Sequence, residues 1–229
     1  MPVKVVSLAE YCQLSKVFHI ETLKTCGSYW FSQLLSSVIL LGSLAVKIPQ
    51  ILNIVTSGNV IGISPEAFYT EVPMTINTVM YNYRNNYPFM SYGENIFVLI
   101  QNLLLVGILW HYMTPKPSFF TVFIVLALFS FVTVVGMYIP IEYVYLLPNT
   151  NLPLLIISRC AQVYRNFRAR ATGQLSSITT FLTFGGSVAR VFTTITQVGW
   201  DWSLLSSFLI GGGLSGILLG QVRCMAHGV

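Results

Sequence analysis

Charge is what this sequence has least of. Only 8% of its 229 residues are Asp, Glu, Lys or Arg, where a soluble domain carries about 25%. So few charges cannot cover the wet surface of a chain this long, which argues against a soluble globular fold. Histidine is scarce as well, and His19, His111 and His227 lie far apart. The four cysteines, Cys12, Cys26, Cys160 and Cys224, form neither a CxxC pair nor a cluster with histidine, so nothing supports a zinc site. No cofactor motif is present. No Ser/His/Asp set or carboxylate pair stands out, and the chain does not read as an enzyme. A basic run is missing too. The net charge of +5 comes from twelve scattered Lys and Arg residues. Several sit beside apolar segments, which suits topology signalling and anionic headgroups and speaks against nucleic acid as a partner.

What the sequence does have is hydrophobicity: 54% of residues and a mean hydropathy of +0.70. A bilayer accepts such a surface, and each span needs about 20 residues. Seven spans are predicted, at 28–46, 65–83, 95–110, 119–138, 152–167, 176–197 and 204–222. The second is weak by hydropathy and carries Glu66, Glu71, Asn77 and Asn82; it crosses the membrane only if protein shields one face. Residues 139–151, with Pro140 and Pro148, read as a connection. Residues 1–27 mix Lys, Glu and apolar residues without an apolar core, which fits a polar, amphipathic surface helix better than a cleavable signal peptide. An organelle-targeting role stays open for them. The last span holds Gly211, Gly212, Gly213, Gly216 and Gly220, and small residues let helices approach closely in lipid. Intramolecular packing is the favoured use, a dimer face the alternative. An odd number of spans puts the termini on opposite sides. Lys116, Arg165, Arg168, Arg170 and Arg223 then share one side, and the positive-inside rule leaves the N-terminus outside or lumenal.

A repeat appears at an offset of 112 residues. Lys47 precedes Gln50 by three, and Ser64 follows it by fourteen; Arg159, Gln162 and Ser176 reproduce that spacing. The copies begin in spans one and five, so span four is a lone linker. The expected organisation is 1–27 N-terminal segment, 28–112 first three-helix unit, 113–151 linker, and 152–229 second unit. The fold is all-α and integral to the membrane, seven transmembrane helices in a 3+1+3 parallel-repeat arrangement. Pro49 is expected to kink its helix and free a carbonyl, to which Gln50 or Gln162 offers donors; a plain interhelical hydrogen bond is the other use. Glu71, Asn77, Gln101, Arg159 and Arg190 are the polar groups expected to line a central cavity. Glu71 and Arg190 are the costliest to bury. They either neutralise each other as a structural pair or bind a headgroup or phosphate. Cys12 and Cys26 share one polar segment and are expected to form a disulfide if it faces an oxidising lumen.

These motifs resemble those of PQ-loop proteins, the group that includes SWEET sugar transporters and cystinosin-like lysosomal transporters. The chain is most similar to the mannose-P-dolichol utilization defect family. The residues carrying the resemblance are GSLAVKIPQILNI at 42–54, NNYPFMSYGE at 85–94, His111 with Tyr112, and GQLSSITTFLTFGGSVARVFTTI at 173–195. Cys12 and Cys26 have a similar counterpart in that family. The resemblance implies a SWEET-like fold in the endoplasmic reticulum membrane. It implies membrane lipids and dolichol-linked sugars as partners, and a role in using or flipping dolichol-phosphate sugars, or transport of a small polar solute. Ala161 stands where the general motif has proline, Pro73 and Arg84 look unusual, and a basic C-terminal tail is missing. Those departures keep an alternative in view: a non-transporting subunit of a larger membrane complex, in the mitochondrial or another organelle membrane.

Overall fold

The computed structural model describes residues 20–60, 65–169 and 177–226. Every regular element among them is helical. In chain order these are α1 (Ile20–Ser43), α2 (Ile48–Ser57), α3 (Pro65–Arg84), α4 (Gly93–Tyr112), α5 (Phe119–Tyr138), α6 (Leu146–Ala169), α7 (Ser177–Gln197) and α8 (Trp202–Ala226). Short 3-10 turns at Phe89–Ser91 and Ile141–Tyr143 lie in two connections. With α1 and α2 counted as one interrupted span, this is the seven-helix 3+1+3 order. Four segments among the described residues are long and apolar enough to cross a bilayer unaided: Cys26–Ser57, Gly93–Tyr112, Phe119–Tyr138 and Trp202–Gln221. Helix α3 contains Glu66, Glu71 and Arg84 and depends on its neighbours.

The chain divides into two compact units. The first-repeat unit is Ser37–Pro148. There α3 packs against both α4 and α5, and α2 against α4. Ile54, Phe68, Val72, Ile76, Leu105, Val106, Leu109, Val125 and Phe129 form its core. A Cβ at Gly136 would stand 2.8 Å from Met80 Cγ, so glycine permits the close approach of α5 to α3. The linker helix is thus a packed member of this unit. Ser118 caps its start, accepting from Thr121 N at 3.1 Å. Its outer face is aromatic, with Phe119, Phe120, Phe123 and Phe131 exposed, as lipid contact requires. Helix α2 ends at Gly58, whose φ of 61° lets its N–H close on the Ile54 carbonyl at 2.9 Å.

The second-repeat unit takes in the chain up to Ser36 together with Asn149–Val229. Here α7 packs along α8. A Cβ at Gly212 would meet Ser187 at 3.1 Å, at Gly216 Phe184 at 3.3 Å, and at Gly211 Leu155 at 3.7 Å. Three of the five glycines of α8 therefore serve packing within the unit; Gly213 and Gly220 meet nothing within 4 Å. Asp201 caps α8, its carboxylate accepting from Ser203 N and Leu204 N at 2.9 and 3.2 Å.

Two boundaries differ from the sequence reading. Helix α6 starts at Leu146 rather than near 152. Pro148 falls within its first turn, where no backbone donor is needed, so the expected connection shrinks. Helix α1 stops at Ser43, before the proline expected to kink it.

Candidate functional site

The interruption between α1 and α2 is where the polar groups of the first-repeat unit converge. Residues 44–47 are wound tightly instead of helically. Leu44 N donates to Leu41 O at 3.2 Å, Ala45 N to Gly42 O at 3.1 Å, and Ile48 N to Ala45 O at 3.2 Å. Lys47 is the N-cap of α2, which makes Pro49 its second helical residue. A proline there loses no bond, because the first four N–H groups have no intrahelical partner. The Ala45 carbonyl, which Pro49 would otherwise leave bare, accepts from Ile48. Pro49 therefore starts a new helix and does not bend an old one, correcting the free carbonyl expected from the sequence.

Gln101, reaching over from α4, holds the two ends. Its Nε2 donates to Ser43 O at 2.8 Å and to Phe97 O in its own helix at 3.1 Å. Its Oε1 accepts from Lys47 N at 2.9 Å. One buried amide thus bonds the last carbonyl of α1 and the amide of the residue that caps α2. Lys47 is tied a second time through its side chain. Its Nζ lies 2.9 Å from Glu71 Oε1 and 3.0 Å from Oε2, with the Phe68 ring centroid 5.3 Å away. In a low-dielectric setting each charge needs the other. Beside Gln101, Asn102 is fully buried, and neither its Nδ2 nor its Oδ1 has a hydrogen-bond partner among the described residues. Leaving such a group unbonded costs about 1–3 kcal/mol.

The remaining predicted residues are spread more widely. Gln50 is half-buried and its side chain makes no hydrogen bond among the described residues; Gln101 takes the bonding role expected of it. Asn77 is half-buried on α3, about 9 Å beyond Glu71 and a third of a circle around the helix. The Gln162 side chain lies outside the described residues, though α6 runs through 159–162 without interruption. Ala161 keeps the N–H that proline would remove. Arg159 is half-buried on that helix, and Gln221 of α8 donates to the nearby Val163 O at 3.1 Å. Arg190 is buried in the second-repeat unit, and Glu71 has Lys47 as its partner. Cys26 is buried and disulfide-bonded; Cys12 lies outside the described residues. Among the described residues, no group of His, Cys, Asp and Glu is arranged to hold a metal.

Three features escaped the sequence reading. In the sequence Lys47 stands out only as a marker of the repeat. Asn102 gave a signal, two adjacent amides inside an apolar run, that went unused. Arg84, noted as unusual, caps the end of α5: Nη1 donates to Gly136 O at 3.1 Å and to Met137 O, and Nη2 to Ile139 O at 2.9 Å. A cation on the last carbonyls of a helix also meets the negative end of its dipole.

Residues 31–91 and 143–203 each match the PQ loop repeat family. The two stretches are displaced by 112 residues, the spacing of the Lys47 and Arg159 motifs. Among solved structures the chain is similar to a eukaryotic SWEET transporter determined at 3.7 Å, with a TM-score of 0.67 and 12% identity over 87% of this chain and 97% of that one. At that identity the likeness concerns the fold.

Proposed function

Because the chain belongs to the PQ-loop repeat family, we propose that this integral membrane protein carries a small polar solute, or the polar head of a lipid, across the bilayer. The observation that carries the reading is the interrupted first helix clamped by Gln101, together with the buried, unbonded amide of Asn102 next to Gln101 on α4. Gln101 makes the interruption a jointed element whose halves share one clamp. Asn102 keeps donors and acceptors ready in a dry interior, where a hydroxyl or amide would satisfy them. Discontinuous helices near mid-membrane sites serve this purpose in transporters generally. Pro49 and Gln50 belong to the joint on this reading, with Gln162 as the counterpart in the second repeat. Glu71 and Asn77 supply polar surface within the first-repeat unit, and Arg159 and Arg190 within the second. No catalytic step is involved.

The finer reading rests on the blocks at 42–54 and 173–195. It makes the cargo a dolichol-phosphate sugar, the membrane that of the endoplasmic reticulum, and membrane lipids the immediate partners. One observation favours a different role. Helix α6 is continuous at Ala161, so among the described residues the joint is found in the first repeat alone. A chain with one joint fits a non-transporting subunit held in a larger complex.

The test is reconstitution together with complementation of cells lacking their own family member. Asn102→Leu keeps volume and removes the amide. Under the transport reading it abolishes complementation while the purified protein keeps its helix content. Full complementation by Asn102→Leu and Gln101→Leu, with co-purification of stoichiometric partner subunits, would replace transport by the subunit reading.

A further inference from the structure

The second-repeat unit contains a polar seam that the first-repeat site does not use. Arg190, Thr193, Thr194 and Gln197 are all buried. At spacings of three, four and seven residues they fall within about 100° of one face of α7. Ser32 and Ser36, one turn apart on α1, are also buried. The two helices meet through them: Gln197 Nε2 lies 2.8 Å from Ser32 Oγ and 2.9 Å from Ser36 Oγ. On the outer side Phe31 and Phe192 close the contact edge to face, with ring centroids 5.8 Å apart. Gln197 and the two serines thus form a polar helix–helix contact, and Arg190, Thr193 and Thr194 lie buried on the same face of α7, in a protein where such groups are expensive.

Packing alone does not need this chemistry. Small residues suffice to bring helices together, and here there is a guanidinium. Gln197 is wholly buried, and its Oε1 has no partner among the described residues. The two serine hydroxyls can equally donate to the amide oxygen, which would turn both N–H donors of Gln197 into the seam. In either orientation one end of the amide is left for something else. Among the described residues Thr193 Oγ1 makes a single long bond, 3.3 Å, to the Arg190 carbonyl. A planar cation, two threonine hydroxyls and an amide on one buried face of α7 form a donor set suited to a phosphate oxyanion.

We propose that the α1–α7 seam is a phosphate-oxyanion site, taking the anion either from a lipid headgroup or as free phosphate. Arg190 supplies the charge. Thr193, Thr194 and Gln197 supply neutral donors, and Ser32 and Ser36 hold the glutamine in register.

The experiment uses the full chain, purified and placed in nanodiscs. One arm titrates inorganic phosphate into discs of phosphatidylcholine. The other compares such discs with discs that also contain phosphatidic acid. Both read ligand-dependent thermal stabilisation. Stabilisation by inorganic phosphate identifies the free anion as source, and stabilisation by phosphatidic acid alone identifies the headgroup. The double variant Thr193→Val, Thr194→Val keeps shape and net charge, and should bind about tenfold more weakly or worse. Lys116→Gln removes an exposed cation and should leave binding unchanged. If Arg190→Gln fails to fold, the threonine variant still decides. Absence of stabilisation by either probe overturns the proposal, and so does equal binding by the wild type and the threonine variant.

Discussion

Gln101 makes three hydrogen bonds, and two of them fasten backbone that no helix satisfies. Gln101→Leu keeps the volume and removes all three. At roughly 0.6 kcal/mol for each such bond in a membrane protein, about 2 kcal/mol of stability is lost. Amide exchange at Lys47 and Ile48 should rise well beyond that at the middle of α4; unchanged protection would show that the clamp is dispensable. The Lys47–Glu71 pair answers to a double-mutant cycle. Lys47→Met and Glu71→Gln each leave one charge without its partner, and the double variant should recover about 1–3 kcal/mol of their summed loss. A coupling near zero in unfolding measurements would mean that solvent already satisfies both groups. At this scale the sequence was half legible. Glu71 and Gln101 stand out because polar side chains in apolar spans must have a reason. Their partners do not stand out, because Lys47 meets Glu71 only once α2, α3 and α4 have packed, and hydropathy carries no record of which faces meet. The same blindness hid Gln197, whose serines lie 161 and 165 residues away.

Helix α6 and the α1–α2 pair are copies of one motif with different outcomes, and Ala161 stands where the first copy has Pro49. Ala161→Pro removes the N–H that would bond the Ile157 carbonyl and places the ring against it. Protection over 157–161 should fall, and far more than about 1 kcal/mol of stability should go with it. Pro49→Ala is the mirror test. Position 49 has no intrahelical bond to regain, and Gln101 still holds Ser43 and Lys47 apart. The change should stay below about 1 kcal/mol, with α2 still beginning at Ile48. A fused α1–α2 helix in that variant would show proline, not glutamine, to be the cause of the interruption. Among the elements, α5 was fully readable, because its apolar run is unbroken and ends at Tyr138 on either view. The start of α6 is not, because Pro148 reads in the sequence as a breaker although the first turn of a helix tolerates it.

Over the whole chain, the repeat and the seven spans were legible because both are periodic: 112 residues for one, about 20 apolar positions for the other. The odd span count makes a sidedness prediction. Cysteines placed at Leu8 and Ala169 should be labelled from opposite faces of intact membrane vesicles by an impermeant thiol reagent. Labelling of both from one face would remove the seven-span topology. The Arg84 cap has a consequence in time. Its carbonyl acceptors lie 52, 53 and 55 residues downstream. At about 5–20 residues per second a ribosome needs roughly 3–10 s to make that stretch. Through that interval α3 has been synthesised, carries its acidic residues, and lacks the helix end that its arginine will cover. Nascent chains halted before Tyr138 should therefore leave α3 in contact with the translocon, where a photo-crosslinker at Met80 would report it. Chains extended beyond Ile139 should release it into lipid. The arginine would then act as a checkpoint in biogenesis, keeping the first half of the protein waiting at the insertion machinery until the linker helix arrives.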